Sequence, residues 1–528
     1  MSTRNKPASA LRIGVDVGGT NTDAVLMRGR EVLAVHKIAT TADVGSGIRG
    51  ALAEVLRQAQ LPPERIGAVM IGTTHFTNAF VQARSLARVG VIRLAAPATV
   101  SLPPFVDWPE RLHRAVSGYA VVARGGYNYD GSEIAQIDPV ELRRLAEGIR
   151  AAGLGAVAIS SVFAPVNDKQ ERLAADIVRQ MVPQMKITLS SEIGRIGLLE
   201  RENAAIMNAA LAEMAVEVVR SFGDALAALG IRCPFYVSQN DGTLMSPEQA
   251  MRYPVLTFAS GPTNSIRGGG FLSGLKDCIV VDIGGTTTDV GVLTGGFPRE
   301  SAVAVDVGGV RTNFRMPDVL SVGLGGGSRV RQEADQVTVG PDSVGFRLLK
   351  EARVFGGDTL TASDIAVAAG KARMGNVAAV SDIGPALIRS VLEVMRTTIE
   401  EAIDRMKASA QGVPVVLVGG GSILAHPDIR GASEVIVPEQ AGVANAIGAA
   451  IAQVSGEIDQ VYCYERSGRE TSLAQAKVAA SERARAAGAQ PDTIHIADVE
   501  ELPLQYLPGG AVRVRVKAVG DLAIGEAP

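Results

Sequence analysis

The segment "DVGGTNTD", from Asp16 to Asp23, is written again as "DIGGTTTD" from Asp282 to Asp289, 266 residues downstream. The first copy closes an aliphatic, β-branched run, Leu11 to Val17, and the second lies within Asp277 to Leu293, which repeats the same pattern. A second apolar run follows each copy, so both read as strand, glycine turn, strand rather than as the strand, turn, helix of a dinucleotide-binding unit. Two glycines after a strand let backbone N–H groups approach a phosphate with no Cβ in the way. One isolated copy fits phosphate binding and a plain tight hairpin equally well. Two copies sharing Asp, Gly-Gly, Thr, Thr and Asp at the same offsets point to phosphate.

The candidate roles follow from the side chains. Asp16 and Asp282 end their strands, where a carboxylate can hold hydrated Mg²⁺ or orient a water; they are the candidate catalytic and metal-binding residues. Gly18, Gly19, Thr20, Asn21 and Thr22 form one candidate phosphate loop, and Gly284, Gly285, Thr286 and Thr287 the other, with hydroxyl and amide donors beside the glycines. Asp23 and Asp289 are assigned to turn backbone, as Asx residues often are. A near-copy, "DVGGVRTN" from Asp306, lacks the first threonine and the closing aspartate and reads as structural or as part of a lobe interface.

A third glycine turn, Gly419, Gly420, Gly421 and Ser422, follows the buried strand "PVVLV" and a long amphipathic helix over Pro385 to Ala408. Further helices are expected over Gly45 to Gln58, Thr77 to Ala83, Ile196 to Leu229 and Ala441 to Val454. The region from Ser455 reads as a small appended α/β element. Its alternating "AVRVRVKAV" is expected to be a strand with one wet face, at an edge.

At 528 residues two or more domains are expected. Aromatics make up 4% and the net charge is −3, which speaks against base-stacking platforms and basic nucleic-acid or membrane surfaces. Three scattered cysteines, no signal-like N-terminus and no long apolar run give the expectation of a cytoplasmic protein. No HExxH, CxxC or Ser-His-Asp pattern stands out.

The paired loops and the later glycine turn, in that order, resemble the phosphate-1, phosphate-2 and adenosine elements of the actin, sugar-kinase and heat-shock-chaperone ATPase superfamily. Between them, "IGTTHFTNAF" (71–80), "SSEIGRIGLLERENAAIMNAAL" (190–211), "ASGPTNSIRGG" (259–269), "SVGLGGGSRV" (321–330) and "VPEQAGVANAIGAA" (437–450) resemble blocks of the hydantoinase A/5-oxoprolinase family. The resemblance runs from about Arg12 to Ala452. It departs from the family pattern at Asn21, often aromatic there, and at "FAPVNDKQE", where the family's histidine is absent.

The resemblance implies an α/β, two-lobed actin-like fold of duplicated βββαβα lobes, with ATP and Mg²⁺ in the cleft between them. It divides the chain into a first lobe over 1–195, a second over 196–454 whose last helix returns to the first, and the C-terminal element over 455–528. It further implies ATP-dependent opening of a cyclic amide such as a hydantoin, a lactam or 5-oxoproline, with a B-type subunit as partner and an oligomeric assembly. Thr73, Thr74, His75 and Asn78 are the candidate substrate side, with Glu192 and Asn240 added; His75 either orients substrate or caps a helix. A small-molecule kinase and an ATP-gated regulator remain alternatives on the same scaffold.

Overall fold

Aliphatic runs of six to nine residues, punctuated by glycine turns, build two sheets whose central strands are buried on both faces. The computed structural model describes residues 10–19, 21–40, 44–301, 303–333, 336–426, 428–505 and 509–524. In the first sheet Leu11–Val17, Asn21–Arg28 and Glu31–Ala39 form an antiparallel meander, and Ile66–Thr73 lies parallel to Leu11–Val17. In the second, Cys278–Ile283 and Thr288–Thr294 are antiparallel, Val319–Val322 adds to the latter, and Val413–Val418 lies parallel to the former. The pairing is equivalent residue by residue: Asp16 faces Asp23 across one hairpin, and Asp282 faces Asp289 across the other. The molecule is a two-lobed actin-like α/β fold with a duplicated strand motif.

Two short-residue helices lie between the sheets. Ser260–Ser273 packs on Cys278–Ile283 and Val413–Val418, and Ala444–Ala450 packs on Leu11–Val17, Asn21–Arg28 and Ile66–Thr73. They approach so closely that a Cβ on Gly268 would overlap the Ala444 carbonyl and one on Gly448 the Asn264 carbonyl. The composition "GPTNSIRGGG" and "ANAIGAA" is therefore a packing requirement, because backbone contact tolerates no side chain there. A separate four-stranded parallel sheet, Ser117–Arg124, Val89–Ala96, Ala156–Ser161 and Lys186–Leu189, carries the helices Pro139–Ala151 and Lys169–Met181. The 31-residue helix Leu198–Ala228 contains no proline and is buried along most of its first five turns, while Glu213, Glu217, Arg220 and Asp224 form an exposed face farther along.

Sheet membership cuts across the sequence divisions at 195/196 and 454/455. Phe235–Ser238 and Thr243–Met245 belong to the first sheet, and so do Gln453–Cys463, Ala511–Gly520 and His495–Pro503, giving nine strands. The helix expected over Ala441 to Val454 is a 3₁₀ turn at Ala441–Val443 followed by Ala444–Ala450. Gln453 already begins an 11-residue strand with alternating burial, the period-two pattern overriding the small-residue helix signal.

"AVRVRVKAV" is not an edge strand. It lies between Gln453–Cys463 and His495–Pro503, and its basic face is covered. Lys517 Nζ is 2.8 Å from Asp241, Arg513 Nε donates to Asp459 at 2.7 Å, and Arg515 pairs with Glu300. The acidic partners sit far away in sequence, so local alternation alone reads as a wet face. The near-copy at Asp306 forms an isolated hairpin, Val305–Val307 with Val310–Thr312, closed by Asp306 accepting from the Gly309 N–H at 2.8 Å.

Candidate active site

Gly18 N–H donates to the Asn21 carbonyl at 3.0 Å and Gly284 N–H to the Thr287 carbonyl at 2.9 Å, so both loops close with the same turn. The turns open toward each other across a cleft of about 1280 Å³ between the lobes. Asp16, Gly18, Gly19, Asn21, Asp282, Gly284, Gly285, Thr286, Thr287, Gly419, Gly420 and Gly421 all line it, as do Thr74, His75 and Asn78. The three glycine turns and the 71–80 segment thus meet at one place. Thr20 lies outside the described residues.

Several expected contributors are placed elsewhere. Thr22 is fully buried and its hydroxyl lies 3.3 Å from that of Thr40. Strand alternation explains this: Asn21 and Asp23 point into the cleft and Thr22 to the opposite face. Ser422 starts the 3₁₀ turn Ser422–Leu424 and is not part of the cleft wall. Thr73 is buried, with its N–H on the Ser260 hydroxyl and its own hydroxyl accepting from the His75 N–H at 3.1 Å. Glu192 and Asn240 line a second cavity of about 780 Å³. There Glu192 accepts from Arg252 and from the Tyr253 hydroxyl at 2.8 Å, and the Asn240 amide ties the Val255 and Arg315 carbonyls to the Ala259 N–H.

The electrostatics of the cleft centre on Asp16, which is 3% exposed. Burial, reinforced by the neighbouring Asp23 charge, pushes its carboxyl up to about 7. Burial likewise raises Asp282, opposed by a hydrogen bond from Ser265, and lifts Asp289 to about 6, opposed by one from Ser321. Burial also lowers His75, which favours the neutral imidazole. Asn445, on the helix between the sheets, donates to Asp16 Oδ2 at 2.9 Å and to Asp23 Oδ2 at 3.0 Å. Lys37 completes the chain with an ion pair to Asp23 at 2.8 Å.

Asp16 Oδ1 is buried and has no hydrogen-bond partner, while Asp282 is close enough to raise the Asp16 carboxyl further. A divalent cation there would satisfy the orphaned oxygen and relieve the repulsion between carboxylates. No group of three or more His, Cys, Asp or Glu side chains with metal-holding geometry exists among the described residues.

Asn445, Lys37 and Ser265 were not singled out from the sequence. Lys37 has a readable signal, since the meander register sets it opposite Asp23. Asn445 is a lone amide among small apolar residues, which is a weaker one. The run Gly325–Gly327 braces the second loop, with Gly326 N–H on the Gly284 carbonyl at 3.0 Å and Gly327 N–H on the Gly285 carbonyl at 2.7 Å.

Comparison with known proteins places this arrangement. Residues 12–182 match the model of the hydantoinase/oxoprolinase N-terminal region and residues 201–377 that of hydantoinase/oxoprolinase. An uncharacterized protein of Methanocaldococcus jannaschii is 25% identical over 464 residues, covering 81% of this chain and 65% of that protein. The caprolactamase subunit alpha of Pseudomonas jessenii is 27% identical over 365 residues, covering 63% and 51%. The chain thus spans about half to two-thirds of the length of these curated relatives. The crystal structure of the ATP-dependent caprolactamase from Pseudomonas jessenii shares the fold, with a TM-score of 0.77, 20% identity and coverage of 96% of this chain and 87% of that one. With two family models spanning two-thirds of its length and both signature loops facing one cleft, the chain belongs to the hydantoinase/oxoprolinase family.

Proposed function

We propose that the chain is an ATP-dependent enzyme, or the nucleotide-binding subunit of one, that opens a cyclic amide by activating its carbonyl oxygen. The observation that carries this reading is the convergence of both Asp-x-Gly-Gly loops on one interlobe cleft, with Asp16 and Asp282 facing it. The similarity to a caprolactamase subunit supports a lactam or related ring as substrate. Amide resonance makes such a carbonyl a poor electrophile. ATP with Mg²⁺ would supply the phosphoryl group that turns the amide oxygen into a leaving group.

The protein's own residues account for the rest. Backbone N–H groups of the glycine turns and the Thr286 and Thr287 hydroxyls cradle phosphate oxygens from the two lobes. Asp16 and Asp282 would hold the cation, and Asn445 fixes the Asp16 carboxylate by donating to Oδ2. His75 and Asn78 stand on the cleft wall beside the first loop; the Asn78 amide lies near Gly19. They are placed to hydrogen-bond the ring amide, and burial keeps the His75 ring neutral for that role. A second subunit completing the hydrolysis fits the subunit name of the caprolactamase relative. No helix among the described residues is long and apolar enough to cross a membrane.

The test is ADP release by the purified chain over lactams, hydantoins, 5-oxoproline and hydroxyl acceptors, with and without a candidate partner subunit. Release with a cyclic amide is expected. Turnover with hydroxyl acceptors alone would make the protein a kinase, and slow release indifferent to every acceptor would make it a nucleotide-gated regulator.

A second expectation concerns the third glycine turn. Gly419 has φ of +83°, and a Cβ there would overlap Asp282 Oδ1 and the Ile283 carbonyl. Gly419→Ala combines backbone strain with displacement of the Asp282 carboxylate. It is expected to weaken Mg-ADP binding by at least about tenfold in calorimetric titration. An unchanged affinity would remove this turn from the nucleotide site.

A further inference from the structure

Among the polar side chains on the buried part of the helix Ser260–Ser273, one stands without a partner. Ser260 donates to the Thr73 carbonyl at 3.0 Å, Thr263 to the Asn240 carbonyl at 2.8 Å and Arg267 to the Gly242 carbonyl, while Ser265 hydrogen-bonds Asp282. Asn264 is fully buried, yet neither its Nδ2 nor its Oδ1 has a hydrogen-bond partner among the described residues. An amide kept from water in this way is costly, and such groups are few in native cores. Packing alone does not explain it, because a leucine of similar volume would fill the same space with no polar atom to desolvate.

An acceptor lies across the space that Gly72 leaves open. Asp16 and Gly72 are opposite each other in the parallel pair of strands, so a side chain on Gly72 would stand beside the Asp16 carboxylate. A Cβ there would overlap Asn264 Nδ2 and come within 2.7 Å of Asp16 Oδ1. Asp16 Oδ1 is itself buried without a partner. A donor and an acceptor, both unpaired, thus face each other over one glycine. The Asn264 backbone is pinned, since a Cβ on Gly448 would overlap its carbonyl. Rotation of the side chain is all that separates the two groups from a hydrogen bond.

We propose that Asn264 is a second positioning residue for the cation, its Nδ2 donating to Asp16 Oδ1 as Asn445 Nδ2 donates to Oδ2. This rests on the cation assignment given under the proposed function. Asp16 is then gripped on both oxygens, by one amide from each of the two helices between the sheets. A carboxylate oxygen accepts more than one bond, so Oδ1 keeps a lone pair for the cation or for one of its waters. Asn264 is not part of the cleft wall, so it acts through Asp16 and touches no ligand. The next residue on the same helix, Ser265, holds Asp282. Two consecutive residues of one helix thus set the carboxylates of both lobes, and with them the width of the cation site.

Calorimetric titration of the full chain with ADP, with and without Mg²⁺, measures how much the cation tightens binding. Asn264→Leu keeps the volume and removes the donor. It should cut the Mg²⁺-dependent gain about tenfold, the size of a lost hydrogen bond to a charged group, and leave Mg²⁺-free ADP affinity unchanged. Asn264→Ala leaves room for a water that donates in place of the amide, so its loss should be smaller, about threefold. A packing role predicts the reverse order, since alanine removes more contact. Melting curves check that each variant is folded. A wild-type Mg²⁺ response in Asn264→Leu, or a larger loss in Asn264→Ala than in Asn264→Leu, would overturn the proposal and leave the cation site standing. Should Asn264→Leu fail to fold, an unchanged Mg²⁺ response in Asn264→Ala would do the same. A wild-type chain whose ADP binding ignores Mg²⁺, or that binds no ADP, would overturn the proposal together with the cation assignment.

Discussion

Asp16→Asn is expected to abolish turnover, by about a thousandfold or more, and at the same time to raise the melting temperature of the nucleotide-free protein. Both effects come from one carboxylate. In the folded state its pKa stands near 7 against an ordinary value of 3.8, so folding disfavours the charged form. A raised folded pKa means that the unfolded chain releases this proton first as pH increases. Unfolding free energy therefore falls between about pH 4 and pH 7, and above that the full penalty is present. The rise from 3.8 to about 7 sets a ceiling of about 4 kcal/mol.

Asparagine carries no charge, keeps the shape and can still accept from Asn445. The stability gain should be largest near pH 8, shrink through pH 6 and vanish near pH 4. Thermal scans of both proteins across that range measure it. Added Mg-nucleotide should stabilise the wild type much more than the variant and narrow the gap. A variant that turns over normally would remove Asp16 from the cation assignment. One that loses turnover but gains no stability at pH 8 would mean that the buried carboxylate is already compensated. Asp282→Asn should also abolish turnover, because it takes away the facing carboxylate.

Breaking the Arg93–Glu202 pair is expected to be the most damaging single change outside the cleft. Both side chains are fully buried. Arg93 Nε donates to Glu202 Oε2 at 2.7 Å, and the Ser160 hydroxyl donates to the same oxygen at 2.7 Å. The pair joins the strands Val89–Ala96 and Ala156–Ser161 to the long helix Leu198–Ala228, and so anchors the four-stranded sheet to the first lobe. Arg93→Met leaves a carboxylate without its counter-ion in the core, at a cost of about 3–5 kcal/mol. The expected result is a sharp fall in soluble yield and in the midpoint of the first unfolding transition in urea. The double variant Arg93→Met/Glu202→Leu should recover much of that loss, since the isolated charge rather than the missing attraction does the damage. Equal losses in single and double variants would show that the guanidinium's packing matters more than its charge.

The two Asp-x-Gly-Gly turns were legible because their physics is local. The hydrogen bond from Gly18 to Asn21 spans three residues, and so does the one from Gly284 to Thr287. The candidate substrate segment 71–80 was legible for a related reason, since a strand, a polar turn and a helix start carry their own signals. Thr22 was misplaced although the information was present, because strand alternation already turns it away from Asn21 and Asp23. Glu192 and Asn240 were beyond sequence reasoning. Their surroundings are set by Arg252, Tyr253 and Arg315, which reach them only once the four-stranded sheet and the long helix have packed.

By itself, then, the sequence determined the duplicated strand–turn–strand units, the glycine turns and the family to which they belong. All of these rest on backbone conformations and spacings within a few residues. Only the tertiary structure decided which distant groups meet: the Asn445 amide reaches Asp16 across 429 positions of chain, and Lys517 meets Asp241 to bury the basic face of a strand that alternation marks as wet. Such contacts carry no local signature. They exist because two sheets and the two helices between them close to backbone contact, and hydrogen bonds and ion pairs depend on distance in space, whatever the separation along the chain.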